Sequence, residues 1–281
     1  MRRVTPAVAL ACLTASTFAQ TIIMTQDDFQ SNTVDALLPK AATSSHGAYA
    51  YAASPNDIYV RADPDDSGNK VAAVSTSGAS GAYLYASALT GTIKTFNQLA
   101  AAGQSLQYNF DVYVGSSNLN QSYVSLQYGN SGNAVFGAVF FKTPSGGNSA
   151  IDYSVAGSTA TSTGFSLSAD AWYTMTYDVY QLENDNWAFS ASMVNKSTHV
   201  STVLFTDQVA TITDTSVNSF LRVVSYQYGN AGNVNTTYID NISLTIVPEP
   251  SVFALLGIGM LILLLTHRQR VEILGSIGMR K

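Results

Sequence analysis

The chain has 281 residues, a formal net charge of -5, 13 Lys and Arg against 18 Asp and Glu, and one cysteine, Cys12. That acidic balance excludes a nucleic-acid-binding role, because phosphate backbones need a basic face. A single cysteine excludes intramolecular disulfides and thiolate metal clusters.

At the N-terminus, Arg2 and Arg3 precede an apolar run from Val4 to Leu13, and Thr17-Phe18-Ala19 has small residues at the spacing of a cleavage site. This is the pattern of a secretory signal peptide, residues 1–19, so the mature chain is expected to begin near Gln20 without Cys12. The segment 20–246, about 227 residues, is long enough to bury a core without covalent staples. It holds fifteen Asp but one Glu, Glu183.

Strand signals dominate this segment. Strands are expected at Val71–Ser75 and Tyr83–Ser87, and a short helix at Thr95–Ala102. Leu106, Tyr108, Phe110, Val112 and Val114 then alternate with Gln107, Asn109, Asp111 and Tyr113, a period of two that puts one face in the core and the other toward solvent. Val124, Leu126 and Tyr128 continue the pattern, and Val135–Phe141 is apolar throughout. Residues 172–194 read as a long hairpin: Tyr173, Met175, Tyr177 and Val179 share a face, as do Trp187, Phe189, Ala191 and Met193, with turn chemistry at Glu183-Asn184-Asp185-Asn186. Further strands are expected at Ile151–Val155, Val203–Phe205, Phe220–Tyr228 and Tyr238–Ile246. Many short strands with Gly, Asn and Ser turns predict an all-β, two-sheet antiparallel jelly-roll sandwich. The hairpin and the closing strand resemble the concanavalin A-like, laminin G-like jelly rolls, and that resemblance implies that the last strand pairs near the first, around Asp27-Asp28-Phe29.

Several stretches are candidates for chemistry. Asp63-Pro64-Asp65-Asp66-Ser67-Gly68 spaces oxygen ligands at alternate residues before a glycine, as loops that wrap calcium do. Asp63, Asp65 and Ser67 are therefore candidate calcium ligands; the alternative is a polar turn held by its own Asp side chains. Asp240 is expected to share a face with Tyr238 and Ile242, to be partly buried, and either to ligate calcium or to bond backbone amides of the first strand or its turn. An internal echo is clear: residues 124–133 recur as residues 224–233 with eight of ten positions identical. Two equivalent sandwich strands account for it; alternatively Gln127, Tyr128, Gln227 and Tyr228 present amides and rings to a glycan. Tyr113 and Tyr123, opposite the apolar face, are candidates for stacking on sugars. A polysaccharide hydrolase or lyase would need two placed carboxylates, and no Asp spacing singles out a pair. His46 and His199 fall in no metal or triad motif. No enzymatic activity is expected.

The C-terminal residues 247–281 carry the most specific signal. Pro248-Glu249-Pro250, an apolar run (transmembrane helix expected at 252–266) and Arg268 and Arg270 in a basic tail at 267–281 resemble the PEP-CTERM sorting signal, also named the ice-binding-protein C-terminal domain. The resemblance implies an exported protein anchored in the inner membrane by its C-terminal helix. It also implies that Pro248, Glu249 and Pro250 are read by an exosortase, a membrane protease-transpeptidase, before release to the cell surface or matrix. Unlike most such signals, this chain continues beyond the basic cluster through Val271 to Lys281. The expected role is structural or adhesive, with extracellular polysaccharide as the partner; the alternative is a calcium-assisted, lectin-like module.

Overall fold

A computed structural model describes residues 21–36, 38, 41–44, 47–50, 58–77, 82–87, 96–116, 122–128, 134–142, 148–155, 159–210, 222–227 and 234–248. The signal peptide, the membrane helix expected at 252–266 and the basic tail lie outside these residues, as do Glu249 and Pro250. Among the described residues no helix is long and apolar enough to cross a membrane.

The strands are β1 (Ile22–Asp27), β2 (Ala41–Ser44), β3 (Gly47–Ala50), β4 (Tyr59–Ala62), β5 (Lys70–Ser77), β6 (Ala82–Ser87), β7 (Gln104–Val114) and β8 (Ser122–Tyr128). They continue with β9 (Ala134–Lys142), β10 (Asn148–Val155), β11 (Thr161–Ser168), β12 (Trp172–Gln181), β13 (Trp187–Asn195), β14 (Ser201–Ala210), β15 (Arg222–Gln227) and β16 (Val234–Pro248). A short helix, α1 (Phe96–Ala101), precedes β7 and stops at Gly103, whose φ of 56° is the left-handed conformation glycine adopts without strain. The first sheet runs β14-β13-β12-β7-β16-β5-β4 with β1 also on β16; the second runs β11-β10-β9-β8-β15-β6-β3-β2. Residues Thr21–Val247 form one compact unit.

Period-two patterning explains the packing. On β7 and β12, Tyr108, Phe110, Met175, Tyr177 and Val179 are almost wholly buried, and they face Val124, Val139, Phe141 and Ile151 of the second sheet in one core. Rings meet edge to face through that core: Phe110 with Tyr177 at 5.1 Å, Tyr177 with Phe189 at 5.2 Å, and Phe189 with Phe205 at 5.2 Å. The Tyr177 hydroxyl donates to the Val124 carbonyl at 3.1 Å, so one buried polar group ties the two sheets together. Phe189 occupies space that any side chain at Gly137 would claim, since a Cβ there would lie 2.4 Å from its ring.

The hairpin forms as patterned, with Val179 opposite Phe189 and Met175 opposite Met193. Its turn closes by a 2.7 Å bond from the Leu182 amide to the Asn186 carbonyl, with Asp185 at φ 63°. The last strand pairs the first, with Asp27 opposite Ile242. Four strands went unanticipated: β2, β3, β4 and β11. β11 buries only Leu167 among mostly Ser and Thr, so it carries no alternation to read.

β16 changes partner midway. Val234 to Ile239 pair with β5, and Ile242 to Ile246 pair with β1. Ile239 and Ile242 are both in the core, so the two residues between them, Asp240 and Asn241, both face away from it, and Asn241 takes φ 50°. This corrects the expected register: Asp240 does not share a face with Ile242, because the bulge resets the alternation.

Candidate functional site

The bulge, the loop after β4 and the turn after β13 meet on the outer face of the first sheet. There the side chains form a chain of alternating donors and acceptors. Trp172 Nε1 donates to Asp63 Oδ1 at 2.9 Å, and Asn69 Nδ2 donates both to Asp63 Oδ2 at 3.0 Å and to Asp240 Oδ2 at 3.2 Å. Asn241 Nδ2 donates to Asp240 Oδ2 at 3.3 Å and to Asp111 Oδ2 at 2.7 Å, where Lys196 Nζ also donates at 2.6 Å. Gln30 Nε2 donates to Asn69 Oδ1 at 2.5 Å, which fixes the amide so that its N–H groups point at the carboxylates.

Environment sets the carboxylates apart. Asp63 is desolvated by burial, yet the hydrogen bonds from Asn69, the Asp65 amide and Trp172 outweigh that and hold it below the ordinary Asp value. At Asp240 burial wins over the bonds from Asn69 and the Asn241 amide, the Asp111 charge adds to it, and the carboxyl is pushed up to about 6. Both are nearly inaccessible, at 9% and 3% exposure.

The sequence-predicted residues fall as follows. Asp63 and Asp240 are joined through Asn69, while Asp65 and Ser67 are exposed on the loop. Asp63 Oδ1 accepts the Asp65 amide at 2.9 Å, and Asp66 Oδ1 accepts the Gly68 amide at 2.9 Å, so Asp side chains brace the turn from within. Among the described residues no group of three or more His, Cys, Asp or Glu could hold a metal ion. The partners of Asp240 are the Asn69 amide and Asn241, its own neighbour, in place of the first strand's backbone amides. Gln127 and Gln227 lie on strands that are neighbours: β8 pairs β15 with Gln127 opposite Arg222 and Gln227 opposite Ser122. The two glutamines are thus separated by five residues along the ladder, and the two echoed segments run in opposite directions from a shared centre at Val124–Ser225. Tyr128 ends β8, and Tyr228 lies outside the described residues. Tyr113 is corrected outright. It is only 7% exposed, packed with Val71, Trp172 and Tyr238, its ring 5.5 Å from Trp172. Burial, then the Asp170 and Asp65 charges, push its phenol up to about 12, so it stays protonated. Tyr123 is half-buried beside Phe140, at 5.5 Å between rings.

Sequence reasoning passed over the rest of this face. Strand register sets Thr174 opposite Asp111, Thr176 opposite Asn109 and Asp178 opposite Gln107. Each pair is hydrogen-bonded, at 2.6, 2.7 and 3.0 Å respectively. Ser192 and Ser190 continue the rows onto β13. The signal was present in the polar half of each alternation, since Gln107, Asn109, Asp111, Thr174, Thr176 and Asp178 all carry donors or acceptors.

No protein-family model matches the chain, and no curated protein matches its sequence. Among solved structures, a doubly substituted alginate lyase in complex with an alginate trisaccharide aligns with a TM-score of 0.52 at 10% identity, over 82% of this chain and 98% of that one. The fold is shared; the residues are not. Two lectin structures align more loosely: lectin UEA-II complexed with galactose (TM-score 0.47, 11% identity, 82% of this chain and 99% of that one) and lectin II from Ulex europaeus (0.46, 11%, 76% and 100%).

Proposed function

We propose that the chain is an exported, non-enzymatic surface or matrix protein whose sandwich binds extracellular polysaccharide along the outer face of its first sheet. The observation that carries this reading is the ordered array of half-buried polar side chains on β7 and β12, Gln107 with Asp178 and Asn109 with Thr176, continued inward by Thr174 on the buried Asp111. Adjacent strands lie about 4.8 Å apart, so the rows repeat hydroxyls, amides and carboxylates, groups that can donate to and accept from sugar hydroxyls, at regular intervals across the sheet. The half-buried Tyr238, packed on Tyr113 and the buried Trp172, borders the array with ring surface. Amide groups already sit between the carboxylates, in the position a cation would take, which supports recognition without calcium. The export reading rests on the signal-like N-terminus and on the likeness of Pro248-Glu249-Pro250 and the following apolar run to a PEP-CTERM tail read by an exosortase.

The test is co-sedimentation of the full chain with a panel of insoluble bacterial polysaccharides, with and without a chelator. Binding to at least one polymer is expected, unaffected by the chelator. It should weaken roughly tenfold, about 1.4 kcal/mol, in the Asn109→Ala, Thr176→Ala double variant. Retention of full affinity by that variant would move the binding surface elsewhere, and release of soluble oligosaccharide would make the protein an enzyme.

A further inference from the structure

The shared oxygen of Asp111 has a use that polysaccharide binding does not require. Asp111 Oδ2 receives Lys196 Nζ at 2.6 Å and Asn241 Nδ2 at 2.7 Å, while its other oxygen is held by the Thr174 hydroxyl at 2.6 Å. An amine, a carboxamide and a carboxylate able to move a proton between them are therefore gathered at one point. We propose that Lys196 and Asn241 become joined by an intramolecular isopeptide bond, with Asp111 as the proton carrier.

Local structure presents each group in a fixed place. Lys196 follows the last residue of β13, and its backbone amide donates to the Trp172 carbonyl at 3.0 Å, which clamps the turn to β12. Asn195 Oδ1 accepts the Ser197 and Thr198 amides, each at 3.0 Å, so the turn is braced on its far side too. The Trp172 ring lies 5.7 Å from Nζ and limits where the amine can swing. Asn241 is set by its bulge at φ 50°, and Asp240 Oδ2 accepts its second N–H. The Asp111 side chain is 6% exposed and that of Lys196 43%, so the carboxylate is sheltered and the amine reaches it from the surface. Groups gathered on one carboxylate oxygen in this way need only a short approach to react as though at very high concentration.

The step balances without an oxidant or a co-reactant. Asp111 takes a proton from the Lys196 ammonium and frees the lone pair on Nζ. Nζ adds to Cγ of Asn241, a second proton leaves Nζ through Asp111, and both protons finish on Nδ2. The Cγ–Nδ2 bond breaks, ammonium departs, and Nζ–Cγ remains as a secondary amide. The bond would tie the turn after β13 to β16 across β12 and β7. In a chain whose sole cysteine is Cys12, it would be a covalent staple of a kind that needs no thiol.

Intact-mass measurement and peptide mapping of the denatured full chain test this. The expected result is a protein lighter by one ammonia than its processed sequence, with a branched peptide that contains both Lys196 and Asn241. The Lys196→Arg variant keeps a cation beside Asp111 but has no amine to acylate; it should show the same circular dichroism and the full, unlinked mass. Two results would overturn the proposal: a wild-type mass equal to the sequence with Lys196 and Asn241 in separate peptides, or an ammonia deficit that persists in Lys196→Arg and so arises elsewhere in the chain. Loss of polysaccharide binding would change neither outcome, so the two readings fail independently.

Discussion

The side-chain amide of Asn69 stands between two carboxylates from distant parts of the chain, donating one N–H to Asp63 and the other to Asp240. Without it, two nearly inaccessible carboxyl groups lose their common donor. Asn69→Ala should therefore destabilise the domain by about 1–3 kcal/mol, the cost of leaving a buried polar group unsatisfied. Urea unfolding at neutral pH measures it; an unchanged midpoint would mean that water takes over the role of the amide.

Asp240 also makes stability depend on pH. Its folded value of about 6 lies above the ordinary Asp value of 3.8. The folded state thus holds the proton more tightly than the unfolded chain does. Its contribution is fully present below about pH 4 and is lost as pH rises through about 6. Stability of the wild type relative to Asp240→Asn should fall across that window, with a slope of at most about 1.4 kcal/mol per pH unit. Asp63 works in the opposite sense: its folded value is depressed, so its contribution is present at neutral pH and is lost as pH falls through that folded value. Melting curves of Asp240→Asn and Asp63→Asn, plotted as differences from the wild type, should slope in opposite directions, the first between about pH 4 and pH 6 and the second below about pH 4.

Packing yields a prediction without charge. A Cβ at Gly137 would meet three atoms of the Phe189 ring, the nearest at 2.4 Å. Phe189 is fully buried among Tyr177 and Phe205, so the ring has little room to yield. Gly137→Ala should cost about 1–3 kcal/mol by overpacking. Combining it with Phe189→Leu should cost less than the sum of the two single changes, because the smaller side chain relieves the clash. Strict additivity in a double-mutant cycle would show that the backbone of β9 shifts instead.

Calcium gives a direct contrast. With Asn69 and Asn241 supplying N–H groups between Asp63, Asp240 and Asp111, the carboxylates already have their donors. The full chain should melt at the same temperature in chelator and in millimolar calcium. An upward shift with calcium, abolished by Asp63→Ala, would show ion binding to the native state and restore Asp63, Asp65, Ser67 and Asp240 as ligands.

The sequence discloses strands wherever one face is apolar. β7, β12 and β13 alternate Leu, Tyr, Phe, Met and Val with polar residues, and their pairing follows. It conceals β11, whose Ser and Thr side chains carry no period, and β4, a four-residue strand with Arg61 on its exposed side. The adjacency of β8 and β15 is hidden for another reason: two similar segments announce similar demands and say nothing of who sits beside whom. At the site, Asp63 and Asp240 stand out in sequence because charged residues amid strands ask for partners. Their linkage does not, since it depends on the bulge at Asn241, which moves two successive side chains to one face. Asp111 and Lys196 are 85 residues apart, with the six strands β8 to β13 between them, and come together only through sheet order.

β16 has a further consequence for a chain held by its C-terminal end. At 15 residues it is the longest strand, it lies between β7 on one side and β5 and β1 on the other, and it runs out at Pro248. Tension transmitted from that end would act along the strand axis, perpendicular to its hydrogen bonds. The ladders on both flanks would then have to slide and fail together, whereas a strand peeled sideways releases its bonds one after another. A pull from the C-terminal side would thus load β16 in shear along its length instead of peeling it.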